Sequence, residues 1–298
     1  QLGDGTTVAQ YAPQRVGSGT NWKKVTVSQN RVFAITTDGA LWGWGTNTNG
    51  QLGDGSLVDQ WSPVMITGPA GWTQVDSFGQ SSVGLKADGS VWVWGGNNYG
   101  ALGINATLTS ILPVQVGSDK NWKSVFAGPN RSHAIKTDGS LWAWGLNTSG
   151  ELGDGTTVTR SVPVQIAGTG WKWVSSGTNS YTAALKEDES FWTWGNSASV
   201  GTVEVGARFS PQRVAAGIPW SMAAVNGNPS TAALDRYGFL WQWSGGMLGS
   251  GFTGAKDFAG GGSHFAMIKS DGTLWMWGQN TSGQLGDGTT SASVPPKL

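Results

Sequence analysis

The chain has 298 residues, 12% of them charged, and its 18 Lys+Arg balance its 18 Asp+Glu to a formal net charge of zero. The charged share is about half the usual ~25%, and without a basic excess phosphate-driven nucleic-acid binding is excluded. No cysteine is present, so disulfides and thiolate metal sites are excluded as well. Glycine (48) implies many turns, while 19 tryptophans argue against disorder. No apolar run approaches the ~18–20 residues of a membrane helix, so no membrane insertion is expected. The chain begins Gln1-Leu2-Gly3 with no visible signal peptide, which leaves both a processed chain and a fragment open.

The opening segment, QLGDGTTVAQYAPQRV (1–16), recurs at the end as QLGDGTTSASVPPKL (284–298). Between them one unit repeats. Trp-x-Trp pairs stand at Trp42/Trp44, Trp92/Trp94, Trp142/Trp144, Trp192/Trp194, Trp241/Trp243 and Trp275/Trp277, at intervals of 50, 50, 50, 49 and 34 residues. Periods of about 40–50 residues mark propellers and related arrays. The third unit shows the pattern: Pro113–Val116, Trp122–Val125, His133–Lys136, the turn Thr137–Ser140, then Leu141–Gly145. Asp-Gly between apolar runs predicts a tight type I′ hairpin, and it stands at Asp38-Gly39, Asp88-Gly89, Asp138-Gly139 and Asp271-Gly272. The fourth and fifth units carry Asp188-Glu189 and Tyr237-Gly238 instead, so looser turns are expected there. Each pair is followed by a polar loop such as Asn47–Gly55, whose glycines permit left-handed φ and whose leucine can plug the sheet edge.

Each unit thus offers about four short strands, one propeller blade. The indoles of a pair, two apart in a strand, share one face, and they are read as core between neighbouring blades. Burying each is worth roughly 4–6 kcal/mol as an upper bound. Trp22, Trp72, Trp122, Trp171 and Trp220 open the preceding strand; Trp61 and Trp173 stand outside the pattern. The sixth unit is short, and the segment between Trp243 and Phe258 lacks the Pro-x-x-Val run. The strand count predicts an all-β chain, residues 1–298 as a single closed β-propeller of about six four-stranded blades. The ring is expected to close by strands from both termini, with a seventh blade completed by further sequence as the alternative.

The pattern D-G-x-L-W-x-W-G-x-N-x-x-G-Q-L-G-D-G followed by P-x-x-V, most regular in the first three units, resembles the regulator of chromosome condensation repeat family. The resemblance covers essentially the whole chain. It implies a β-propeller, commonly of seven blades, whose members include a nucleotide-exchange factor for a small GTPase, chromatin binders and light sensors. The sameness of the repeats is similar to that of bacterial and phage members that are secreted or sit on particle surfaces. The family often places a His early in the third strand. Here that position holds Arg31, Ser81, Arg131, Tyr181, Ser230 and His264, so roles tied to that His do not carry over.

Candidate ligand contacts are Tyr11, Trp61, Tyr99, Trp173 and Phe209, aromatics in or beside loops that break the repeat. The loop aspartates Asp4, Asp54, Asp154 and Asp287 are weak calcium candidates, since one carboxylate per loop falls short of the 6–8 oxygens that Ca²⁺ takes; turn chemistry is the simpler reading. His133 and His264 lie on distant strands. No Ser/His/Asp set is evident and Gly260–Gly262 does not lead into a helix. No catalytic residues, metal or cofactor are assigned, and an enzyme is not expected. Asn-x-Ser/Thr sequons at Asn105, Asn130, Asn147 and Asn280 arise readily in so polar a chain. The sequence therefore predicts a non-enzymatic interaction or display module on a cell surface or virus particle, binding a protein partner through rim loops. A multivalent lectin and a GTPase exchange factor are the alternatives, and a cytoplasmic location stays open.

Overall fold

The computed structural model describes residues 2–8, 15–66, 70–177, 180–196, 208–225, 231–243, 247–249, 252–261 and 264–297. The chain is all-β: six four-stranded antiparallel blades, the architecture of a β-propeller. It divides into two compact units, residues 1–148 with 156–169, and residues 149–155 with 170–298.

In the first unit, blade 1 comprises Trp22–Ser28, Arg31–Thr36, Leu41–Gly45 and Gln60–Met65. Blade 2 comprises Trp72–Phe78, Ser81–Lys86, Val91–Gly95 and Ser110–Gln115, and blade 3 Trp122–Gly128, Arg131–Lys136, Leu141–Gly145 and Arg160–Ile166. Blade contacts blade through apolar faces. Phe33, Ile35, Leu41, Leu52 and Ile66 of blade 1 enclose Trp72, Val75 and Trp94 of blade 2. Val83, Leu85, Val91, Val93, Leu102 and Val116 of blade 2 pack in the same way on Trp122, Val125, Ala134 and Trp144 of blade 3.

In the second unit, blade 4 comprises Trp171–Ser176, Tyr181–Lys186, Phe191–Gly195 and Arg208–Val214. Blade 5 comprises Trp220–Val225, Thr231–Asp235, Leu240–Trp243 and Met247–Gly249, and blade 6 Ala255–Gly261, His264–Lys269, Leu274–Gly278 and Ser293–Lys297. Ala183, Leu185, Phe191 and Val214 of blade 4 meet Trp220 and Ala233 of blade 5. Leu234 and Leu240 of blade 5 meet Phe258, Phe265, Met267 and Trp277 of blade 6.

The expected strand exchange between the termini is not what fills the sixth blade. Its fourth strand is Ser293–Lys297 of its own repeat, paired with Leu274–Gly278. The fifth blade, which lacks the Pro-x-x-Val run, recruits Met247–Gly249 against Trp241–Trp243. The N-terminal run around Pro13 lies in residues 9–14, outside the described residues.

The hairpin turns also differ from expectation. Ile35 pairs Leu41 and Gly39 N–H donates to Thr36 O at 2.9 Å. The loop therefore has three residues, and of Thr37, Asp38 and Gly39 only the glycine has positive φ (81°). This is a type I turn closed by a left-handed residue, not a type I′ turn. One left-handed position is cheaper to satisfy than two, and Glu189 fills it in blade 4 at φ 62°. Glu189 N–H donates to Lys186 O at 3.0 Å, and in blade 5 Gly238 N–H donates to Asp235 O at 3.2 Å. The turns expected to be looser thus keep the common shape.

Candidate functional site

The two indoles of a pair have different surroundings. The second is buried in blades 1–4 and 6, as Trp44, Trp94, Trp144, Trp194 and Trp277. In blades 1–4 a glycine loop from the preceding repeat lies on it. Trp94, Trp144 and Trp194 donate Nε1–H to the carbonyls of Gln51, Ala101 and Glu151 at 2.9, 2.9 and 2.8 Å. A Cβ on Gly53 would lie 2.7 Å from Trp94 Cδ1, and the residue has φ +77°, so both space and backbone demand glycine. Gly3 lies on Trp44 in the same manner. The first indoles, Trp42, Trp92, Trp142, Trp192, Trp241 and Trp275, are only half-buried. This corrects the reading of both as equivalent core; the side chain of Trp243 lies outside the described residues.

The half-buried indoles form a repeated polar lock. Trp92 Nε1–H donates to Ser90 Oγ at 2.8 Å, and the Ser90 hydroxyl donates to Asp88 Oδ1 at 2.6 Å. Trp142, Ser140 and Asp138 repeat the chain, as do Trp275, Thr273 and Asp271. These bonds, with that from Lys120 to Asp88, hold the turn carboxyls below their ordinary range. Lys86, Lys136 and Lys186 each place Nζ over both a strand-opening and a half-buried indole, at 4.3–4.7 Å from the ring centroids. Burial lowers the pKa of Lys86 and Lys186. The motif Lys-x-Asp-x-Ser-x-Trp was present in the sequence; its side-chain convergence was not legible there.

Three proposed ligand aromatics turn out to share one repeat position, two residues before the proline: Tyr11, Trp61 and Phe209, equivalent to Ile111 and Ser161. Tyr11 lies outside the described residues. The others do not break the pattern. The carbonyls of Trp61, Ile111 and Phe209 accept N–H from Gly5, Gly55 and Gly155 at 3.0, 3.0 and 2.7 Å, and that of Ser161 accepts from Asn105 at 2.9 Å. The backbone at this position fastens the preceding loop, leaving the side chain exposed in Trp61 and Phe209. Tyr99 is exposed in the loop Asn98–Gly100 with left-handed φ 63°. Trp173 does not reach a rim: it is half-buried, packed against the Ala183, Leu185 and Phe191 cluster.

The loop aspartates serve turns. Asp54 accepts from Asn47 Nδ2 (2.9 Å), Ser56 N (2.9 Å) and Gln60 Nε2 (3.0 Å). Asp4 accepts from Thr6 N at 2.9 Å, and Asp287 from Asn280 Nδ2 at 3.1 Å. Sequence reasoning missed the buried asparagine at the centre of these loops. Asn47 Oδ1 accepts Leu52 N–H at 2.9 Å while its Nδ2 also donates to Ser56 O; Asn97 and Asn280 act alike. Asn147 and Asn280, two of the sequons, are wholly buried. His133 is buried, and burial, with Arg131, pushes it down to about 3, so it is neutral near pH 7.

A groove of about 620 Å³ opens in the first unit. Trp122 and Trp142 meet edge-to-face there, 6.1 Å apart. Val114, Val116, Val162 and Pro163 supply apolar walls, and Asn105, Gln115 and Asp119 supply polar groups. Trp122 Nε1–H is buried without an acceptor. The only sequence signal was the loop itself, Ile104-Asn105 replacing the usual Asp-Gly.

The regulator of chromosome condensation (RCC1) repeat matches residues 38–84, 88–135, 138–185 and 271–298, more than half of the chain, and a second model of this repeat matches 22–51, 122–151 and 255–284. The chain belongs to the RCC1 repeat family. No curated protein sequence matches it. Among solved structures, human WBSCR16 is similar with a TM-score of 0.84 at 21% identity, covering 97% of this chain and 84% of the other. Prp20p from Saccharomyces cerevisiae, described with its binding to Gsp1p and histones, gives 0.78 at 18% identity, covering 93% and 76%. The structure of Kap60 bound to yeast RCC1 (Prp20) gives 0.74 at 18% identity, covering 91% and 73%. These likenesses establish that the RCC1-repeat chain shares their fold.

Proposed function

We propose that this chain is a protein-interaction module that presents side chains from the fourth strands and the loops before them. The observation that carries the reading is the repeated exposed apolar set on those segments: Leu57, Val58, Trp61 and Met65 in blade 1, and Leu108, Ile111 and Leu112 in blade 2. The prolines of the fourth strands (Pro63, Pro113, Pro163 and Pro211) oppose addition of another strand at the edge, which favours side-chain recognition over strand pairing. The Prp20 structures support the reading, since that protein binds Gsp1p, histones and Kap60 by their descriptions. Display on a cell surface or virus particle is the setting we favour, on the near-identical repeats, low charge and absent cysteine. Trp61→Ala with Phe209→Ala tests the assignment: a partner cross-linked by the wild type should be lost by the double variant at unchanged Tm. Retention of that partner overturns it.

A second reading, glycan binding, is favoured by the groove alone: an indole platform, planar amide and carboxylate groups, and an indole N–H without an acceptor. Silence on a glycan array, with Trp142→Ala as control, removes it.

A further inference from the structure

The groove of about 620 Å³ lies wholly within the first unit. Val114 and Gln115 come to it from the fourth strand of blade 2, and Val162 and Pro163 from that of blade 3. Val114 and Val162 are exposed, so the lining is open to a partner. At the loop, Ile104 stands where the first repeat has Asp54, a carboxylate occupied by Asn47, Ser56 and Gln60. An aliphatic side chain thus lines the groove in place of a charge. Asp119 is the one charged residue of the lining, and it accepts from Lys136 Nζ at 2.6 Å. The same Nζ lies 4.7 and 4.4 Å over the rings of Trp122 and Trp142. One face of each indole is therefore already covered by a cation, which works against a sugar stacking there. Trp142 Nε1–H donates to Ser140 Oγ at 3.0 Å. Trp122 Nε1–H is buried with no acceptor, an arrangement that costs stability until an acceptor arrives.

We propose that this groove binds an uncharged, proline-containing extended segment of a protein partner. Three features select that occupant. Valine, proline and indole walls suit pyrrolidine rings and aliphatic side chains, as aromatic-lined grooves suit polyproline II segments. Charge complementarity asks for a neutral segment, because Asp119 already has its counter-ion in Lys136 and a second charge would be desolvated unpaired. Hydrogen bonding asks for carbonyls rather than N–H groups. The groove holds a donor without an acceptor in Trp122, while its own side-chain acceptors are few: Asn105, Gln115 and the paired Asp119. Proline carries a carbonyl and no N–H, so it can supply the missing acceptor without burying a donor of its own. The proposal rests on the interaction reading above, which it narrows to one groove and one class of segment, and it takes the groove away from the glycan reading.

The test follows the indole N–H resonances of the full chain by NMR, with Trp122→Phe identifying the Trp122 signal. The probes are acetylated, amidated peptides of the form Pro-x-x-Pro, with Leu, Val, Ile, Phe or Tyr at x, and cellobiose as the sugar. The peptides should move the Trp122 N–H resonance downfield, as a new acceptor does, together with the signals of Val114 and Val162. Alanine in place of both prolines should weaken binding by roughly fivefold, through the lost preorganisation. Trp122→Phe should weaken it by roughly tenfold, the effect of one hydrogen bond. Val162→Lys, at an exposed wall position, should abolish binding at unchanged Tm, and it keeps the test decisive if Trp122→Phe fails to fold. No shift with any of the peptides at millimolar concentration overturns the proposal, as does undiminished binding by Val162→Lys. A shift with cellobiose alone overturns it too and returns the groove to the glycan reading. Failure here is separable from failure of the interaction reading, because Trp61→Ala with Phe209→Ala leaves the groove lining intact. Loss of the cross-linked partner by that double variant, with no peptide shift in the wild type, removes the groove assignment alone. A peptide shift with that partner retained supports the groove and removes the role of Trp61 and Phe209.

Discussion

Blades 2 and 5 show which features a blade of this repeat needs and which it can exchange. In blade 2 the half-buried Trp92 is tied through Ser90 to the turn residue Asp88, with Lys86 over its ring. In blade 5 the equivalents of Lys86 and Asp88 are Asp235 and Tyr237. The carboxylate has moved to the strand, and it takes all the donors directly: Tyr237 N at 2.9 Å, Phe239 N at 3.0 Å and Trp241 Nε1 at 3.0 Å. The cation over the indole is gone, the serine link is gone, and the fourth strand shrinks to three residues. What persists is apolar: Trp220, Leu234 and Leu240 stay buried, and Trp220 meets Trp241 edge-to-face at 6.1 Å. In both blades the half-buried indole N–H and the turn amides find acceptors, and more than one group in more than one place can supply them. Apolar packing between blades offers no such substitute.

The largest expected effect separates the two indoles of one pair. Trp144→Ala should cost about 3–5 kcal/mol as a large-to-small core change, read from the urea midpoint. Trp142→Ala, half-buried, should cost clearly less. Equal losses would break the division of labour. Next, Asp235→Ala should cost about 2–3 kcal/mol, because one carboxylate removed leaves three donors with their partner missing. Asp88→Ala should cost less, since Ser90 Oγ remains for Trp92. If blade 2 suffers more, the direct lock is the weaker design.

Asp76 sharpens the contrast by pH. Its carboxylate accepts Ala127 N–H of blade 3 at 2.9 Å, and burial pushes its pKa from 3.8 up to about 6. The folded protein thus binds this proton more tightly than the unfolded chain. Its contribution is fully present below about pH 4 and is lost as pH rises through about 6. The turn carboxylates Asp138 and Asp188, held low, act oppositely and lose their contribution on acidification. Asp76→Asn should therefore flatten the decline of Tm between about pH 4.5 and 7 without changing the acid limb; an unchanged decline would assign it elsewhere. The smallest effect belongs to Lys186→Met, about 0.5–1 kcal/mol from the lost cation–π contacts with Trp171 and Trp192, detectable as a small shift in urea midpoint. A loss as large as that of Trp144→Ala would make the cation, not the indoles, the organiser of the blade.

The candidate site was less legible than the blades. Trp61 and Phe209 were visible as aromatics, but their common position became evident only when the carbonyls beneath them were seen fastening successive loops. Trp173 looked exposed because it broke the indole spacing, yet it lies against its own blade's core. The groove at Trp142 and Asp119 joins residues from four separate segments, so no local pattern announces it.

From the amino-acid order alone came the all-β class, six repeats of four strands, the shared face of each Trp pair and the glycine-bearing loops. These are local properties, fixed by a period of two in strands and by the backbone freedom of glycine. The tertiary structure decided the rest: which indole of a pair is sealed, which group accepts each indole N–H, and which repeat supplies each fourth strand. Those depend on what a neighbouring blade brings within contact distance some 50 residues away, and dense packing makes that outcome specific to each junction.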